Sequence, residues 1–265
     1  MEKEIKYSIG VHTNFNIQNF LSYNNRTNDS YFWTDNFDMG NSFFFSSKLL
    51  NKLDNIQDIY NTATQILSIY EGIYKLLDRG RQYDTYFTLR DLFNLDNNCF
   101  VSSAIESEIF KIDIDFSKIT ERGEDTPINP IYILFERIVE NEFLINLFFL
   151  LSNKVDYRML YIIYDDIRYY LKSTGNNDLL NQFSKPLNSF THTANNYEVL
   201  GFYARHGRTN HKPPTTPMSL DESMNLIFDI VVKLLKEDFK IELPSFWGLS
   251  YIDYSKLDVK KLFDK

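Results

Sequence analysis

One cysteine, Cys99, stands in 265 residues. It excludes an intrachain disulfide and fits a reducing compartment. Long apolar runs are missing too. The most hydrophobic stretch, Phe143–Leu151 (FLINLFFLL), is too short to span a bilayer and follows Glu136, Glu140 and Glu142, so it reads as a buried helix. The N-terminal MEKEIKYSIG has no apolar core of signal-peptide type, which leads us to expect a cytoplasmic protein with no membrane partner. Cationic charge is in deficit: 28 Lys and Arg against 36 Asp and Glu leave a formal net charge of −8. Adhesion to a phosphate backbone needs a cationic face, so only a small local basic site is compatible with nucleic acid. Phosphate loops of the GxGxxG and P-loop types, the H-E-x-x-H pattern, the nucleophile elbow and Cys–His arrangements are absent. No cofactor is expected.

Aromatic side chains are plentiful, 16% of the chain, nearly all of them Tyr (18) and Phe (23). They travel with abundant Asn, Ile, Lys and Asp, residues of A/T-rich codons. Genome base composition therefore accounts for the excess before a base-stacking surface does.

The pattern is α+β. KYSIGVH, SYFWT and SFFFSS are short aromatic or β-branched runs separated by Asn, Asp and Gly, and read as strands. From Asp54 the period changes. Ile56, Ile59, Ala63, Ile66, Leu67, Tyr70 and Tyr74 recur at three and four, which predicts an amphipathic helix ending near Gly80. TYFTLRDLF, Cys99–Val101 and the alternating Ile109–Phe116 (IFKIDIDF) form a second β-like group. Residues 1–122 thus read as an α+β module of unknown role. TERGEDTPINP (120–130), polar with Gly123 and two prolines, is the expected boundary.

Residues 130–265 read as a helical domain: a four-helix bundle with a packed tail after Leu243. Helix one covers Pro130 to Leu151 and helix two Asp156 to Leu171. Helix three starts near Asn177–Asp178 and runs toward Arg205, kinked or shortened at Pro186. Helix four begins at a capping box, Ser219 with Glu222, and continues to about Phe239. Phe143, Leu147, Leu151, Ile163, Ile167, Leu200, Ile227 and Val231 are its expected core. The mid-helix pair Asp165–Asp166 reads as a solvated face.

Three of the four histidines, His192, His206 and His211, lie close together with Arg205, Arg208 and Lys212. Imidazole, with an unperturbed pKa of about 6.5, gains or loses a proton near neutrality. This local cationic, titratable cluster is the best candidate for chemistry. The spacing of its histidines is not that of a zinc site, so no metal ligand is assigned. On the residues alone two readings stand. Arg205 is either a cation complementing a helix C-terminus, with His211 bonded to backbone, or the two act together on a substrate.

Arg205, the polar His206, four residues and His211 resemble the R-x(4–6)-H signature of the HEPN superfamily, the helical nucleotide-binding and ribonuclease domains of bacterial toxins and abortive-infection proteins. The words FTHTANNYEVLGFYARHG and PMSLDES also resemble those of a group of bacterial proteins with an ARHG…PM block. The resemblance covers the C-terminal half. It implies an arginine closing one helix, a histidine in the following loop and a capped helix after it. It further implies a metal-independent endoribonuclease of toxin or phage-defence type, acting on RNA as a homodimer, with a regulatory or antitoxin protein as a possible partner. Arg205, His211 and His206 would be catalytic, with Arg208, Lys212, Asn196 and His192 binding substrate; on the residues alone His192 reads also as a hydrogen-bonded core histidine and Asn196 as a helix-surface polar residue. A scaffold that keeps the bundle to bind a partner protein or nucleotide without cleaving is the alternative.

Overall fold

The computed structural model describes residues 5–14, 30–37, 40–79, 86–107, 109, 111–116, 130–176, 178–208 and 212–243. These divide into two compact units. The first holds the described residues of 5–73 and 86–152, the second those of 74–79 and 153–243. The architecture is α+β. Among the described residues no helix is long and apolar enough to cross a membrane.

The first unit is built on a five-stranded antiparallel sheet in the order β2-β3-β1-β4-β5, from β1 (Tyr7–Thr13), β2 (Ser30–Phe37), β3 (Gly40–Ser47), β4 (Phe87–Asn94) and β5 (Cys99–Ser102). Ile9, Val11, Phe32, Phe45 and Leu92 enter the core, and β1 is buried on both faces from Tyr7 to Val11. Helix α1 (Ile56–Leu77) buries the expected stripe except Ile56, which is half-buried. Helices α2 (Pro130–Val139) and α3 (Glu142–Ser152) also belong to this unit.

The described residues 130–152 thus belong to the first unit and the unit changes after Ser152, while the expected boundary at 120–130 lies, but for Pro130, outside the described residues. Aromatic packing explains the shift. Phe135 stacks on Tyr70 at 4.3 Å, Tyr70 meets Phe32 edge-on at 5.2 Å, and the Tyr132 hydroxyl accepts a hydrogen bond from the Phe32 amide at 3.0 Å. Composition pointed to 120–130, but packing assigns α2 and α3 to the first unit. The expected single helix 130–151 is broken at Glu140–Asn141, where the Asn141 side chain accepts from the Leu144 amide. Helix α3 meets α1 so closely that a Cβ on Gly72 would lie 2.1 Å from the Phe148 carbonyl oxygen.

The described residues of 109–116 form no strand, contrary to their alternation. Ser103, Glu106 and Asp113 are instead bonded to α1. Their backbone bonds go to α1 side chains: the Tyr60 hydroxyl donates to Ser103 O, Gln57 donates to Glu106 O, and the Asp113 amide donates to Gln65. Side chains supply the partners a neighbouring strand would otherwise give.

The second unit packs α4 (Tyr157–Thr174), α5 (Asp178–Asn181), α6 (Ser184–Ala194), α7 (Tyr197–Leu200) and α8 (Leu220–Glu237). Asp156 caps α4 through the Met159 amide, and Gly175 ends it at φ +76°, a conformation glycine reaches without strain. The capping box at Ser219 and Glu222 is formed, and α8 buries Met224, Ile227, Ile230, Val231 and Leu234. Of the expected core, Phe143 and Leu200 are only half-buried; the other six are buried.

The expected third helix is the main departure. It is broken into α5, α6, α7 and a 3-10 turn, Gly201–Tyr203. Pro186 sits in the first turn of α6, where its missing N–H is tolerated. Asn196 takes an extended conformation and caps α7, which ends at Gly201. The expected four-helix bundle is therefore two long helices and a fractured third element, with α2 and α3 counted elsewhere.

Candidate functional site

The segment following α7 is held against α4 and α6. Arg158, Tyr161 and Asp165 recur at three and four residues along α4, so one stripe presents all three. Arg158 Nε donates to the Ala204 carbonyl at 3.0 Å. The Arg205 guanidinium lies over the Tyr161 ring, 4.0 Å from its centre, and Nη2 donates to Asp165 Oδ2 at 3.1 Å. Tyr161 in turn rests on Phe190 of α6 at 5.9 Å. The cation thus has a supported aromatic floor and a carboxylate wall, while 38% of its side chain remains exposed.

The ends of the 205–212 segment are tied to one place. The Arg205 amide donates to the Ala194 carbonyl at 2.8 Å, at the C-terminal end of α6. Two residues earlier, His192 Nε2 lies 2.9 Å from the Lys212 carbonyl. A carbonyl only accepts, so Nε2 carries the proton and Nδ1 is the acceptor in the neutral ring. Further on, Thr193 Oγ1 accepts from the Met218 amide and the Tyr157 hydroxyl donates to the Met218 carbonyl. The connector is fastened at Arg205, Lys212 and Met218.

The sequence candidates separate accordingly. Arg205 does not close a long helix; it stands in irregular chain beyond the 3-10 turn. His206, Arg208 and Lys212 are exposed, and the Arg208 guanidinium lies 5.7 Å from the Tyr197 ring centre. His192 is exposed and is a tether of the connector. Asn196 does not join a substrate surface: it is 2% exposed, and its side chain accepts the Val199 amide as the α7 cap. His211 lies outside the described residues.

Asp165–Asp166 is not a plain solvated face. Asp165 pairs with Arg205 and also lies 3.0 Å from Arg168 Nη2. Burial pushes the Asp166 carboxyl above its ordinary range, and its Oδ2 has no hydrogen-bond partner among the described residues. The Arg158–Tyr161–Asp165 spacing was the signal that could have identified this support. Among the described residues no three His, Cys, Asp or Glu side chains converge as metal ligands would.

The arrangement offers a fixed guanidinium, exposed cations close to it in the chain and an imidazole tethering the loop. That set can bind phosphate and, with a second titratable group, move a proton. No family model, curated protein or solved structure matches this chain.

Proposed function

We propose that the Arg205–Lys212 loop is a metal-independent ribonucleolytic site of HEPN type, acting as a toxin or phage-defence effector. What supports this most is the double tether on α6. Arg205 is bonded to Ala194, and Lys212, the chain neighbour of His211, is bonded to His192, so Arg205 and Lys212 are both tied to one helix end. The R-x(4–6)-H spacing and the capped α8 after the loop are the further support.

In this reading Arg205 donates to the non-bridging phosphoryl oxygens and stabilises the charge that grows as the 2′-hydroxyl attacks phosphorus. His211 takes the 2′-hydroxyl proton or delivers one to the leaving 5′-oxygen. His206 orients the phosphate, and Arg208 and Lys212 hold its neighbours. The products are a 2′,3′-cyclic phosphate and a 5′-hydroxyl. A second copy would supply a second imidazole and divide acid from base, and a neutralising protein would cover the loop.

One observation favours the non-catalytic reading: Arg205 already has Asp165 and Tyr161 as partners, as a purely structural arginine would. Incubation of purified protein with total RNA, with and without EDTA, separates the two. The ribonuclease reading expects chelator-resistant cleavage that is lost in His211→Ala. Intact RNA, cleavage abolished by EDTA, or full activity in His211→Ala would reject it.

A further inference from the structure

Two rings beside the loop take no part in its anchoring. Phe202 and Tyr203, in the 3-10 turn, are 82% and 65% exposed. The turn beneath them is fixed. Ala204 is buried and held by Arg158, and Arg205 is held by Ala194, so the rings stand on an anchored base. Gly201, at φ +56°, lets the chain reverse out of α7 and present them. Tyr197 meets Phe202 edge-on at 6.4 Å, and the Arg208 guanidinium covers Tyr197. Arg205 and His206 follow directly in the chain.

We propose that Phe202 and Tyr203 are a stacking platform for unpaired nucleobases, with the adjoining phosphates held by Arg205 and Arg208. The inference rests on the reading of this loop as an RNA site, but it requires no cleavage. Charge selects the occupant. Exposed rings flanked by arginines, in a chain of net charge −8, match a ligand that alternates flat apolar faces with anions. A single nucleic-acid strand is that ligand. In a duplex the base faces are already stacked on one another, so the rings reach only bases that are splayed out. The platform immediately precedes Arg205 in the chain, which ties base stacking to the residue that would hold a phosphate.

The test is fluorescence anisotropy of the full chain with a labelled 2′-O-methyl RNA strand, which cannot undergo 2′-hydroxyl attack, and with its duplex. Single strand should bind more tightly than duplex. Phe202→Ala and Tyr203→Ala should each weaken binding by about 5-fold or more. Phe202→Trp and Tyr203→Phe keep a ring and should keep the affinity; Phe202→Leu keeps apolar area only and should not. Far-ultraviolet circular dichroism confirms that the variants are folded. Alanine or leucine variants that bind like the wild type would overturn the platform. Equal affinity for duplex would overturn it as well. Ring-independent binding with intact cleavage of unmodified RNA removes the platform and leaves the ribonuclease. Ring-dependent binding without cleavage removes the ribonuclease and leaves the platform. No binding of either probe by the wild type overturns the platform outright.

Discussion

Replacing Arg205 by alanine separates what this residue does for the fold from what it does for a substrate. The structural share follows from the contacts. The Asp165 pair is one hydrogen bond of 3.1 Å between side chains 38% and 29% exposed, an environment in which ion pairs contribute about 0.5–1 kcal/mol. The guanidinium over Tyr161 at 4.0 Å adds about 0.5–1 kcal/mol. The backbone bond to Ala194 survives the substitution. Arg205→Ala should therefore cost about 1–2 kcal/mol. Starting from a stability of about 5 kcal/mol or more, over ~99% of the protein stays folded. A phosphate clamp is worth more than that: its removal should lower the cleavage rate about 100-fold or more. Urea denaturation of the wild type, Arg205→Ala, Asp165→Ala and the double variant gives the coupling, expected at about 0.5–1 kcal/mol, and cleavage rates come from the same preparations. Arg205→Lys keeps charge but loses the planar fork, and should recover only part of the rate. A rate that falls only with the folded fraction would refute the clamp. A coupling above about 3 kcal/mol would refute the surface character assigned to the pair.

Three further outcomes are expected. Gly72→Ala places a Cβ against the Phe148 backbone and should destabilise the protein by about 1–3 kcal/mol, read by chemical denaturation; a neutral effect would mean that α1 and α3 are not that close. Ser219→Ala removes the α8 cap at a cost of about 1 kcal/mol at neutral pH. The Ser219 amide and hydroxyl hold the Glu222 carboxyl below its ordinary value, so the stability from this contact is present above the unfolded-state pKa. It is lost as pH falls through the lowered folded value, and the loss caused by Ser219→Ala should shrink in acid. His192→Ala cuts the Lys212 tether and should speed tryptic cleavage after Arg208; unchanged proteolysis would contradict the tether.

Periodicity carried far where one physical demand dominated. The α1 stripe, the aromatic strands and the α8 capping box were legible because burial of one face, or satisfaction of helix-end amides, fixed those residues locally. The 109–116 run failed because alternation gives only the two faces of an extended chain, and the backbone partner of Asp113 is the Gln65 side chain of α1 and not a neighbouring strand. The third helix failed at Asn195–Asn196, where an asparagine able to cap competes with continuing the helix. At the site, the cluster of cations was legible, but its support was not. Asp165 and Tyr161 are forty or more positions from Arg205 in sequence, and only the packing of α4 beside α6 brings them to it. Asn196, polar and near the cluster, was drawn inward by the same capping demand that broke the helix.

The chemistry of the cut ends tests the central claim most directly. Short RNA labelled at one end, digested by the purified chain in EDTA, should yield fragments ending in 2′,3′-cyclic phosphate and fragments beginning with 5′-hydroxyl. A strand with 2′-deoxyribose at the cut position should resist, and neither Arg205→Ala nor His211→Ala should give products at a comparable rate. Fragments bearing 3′-hydroxyl and 5′-phosphate, cleavage of the 2′-deoxy strand, or wild-type rates in either variant would contradict the account.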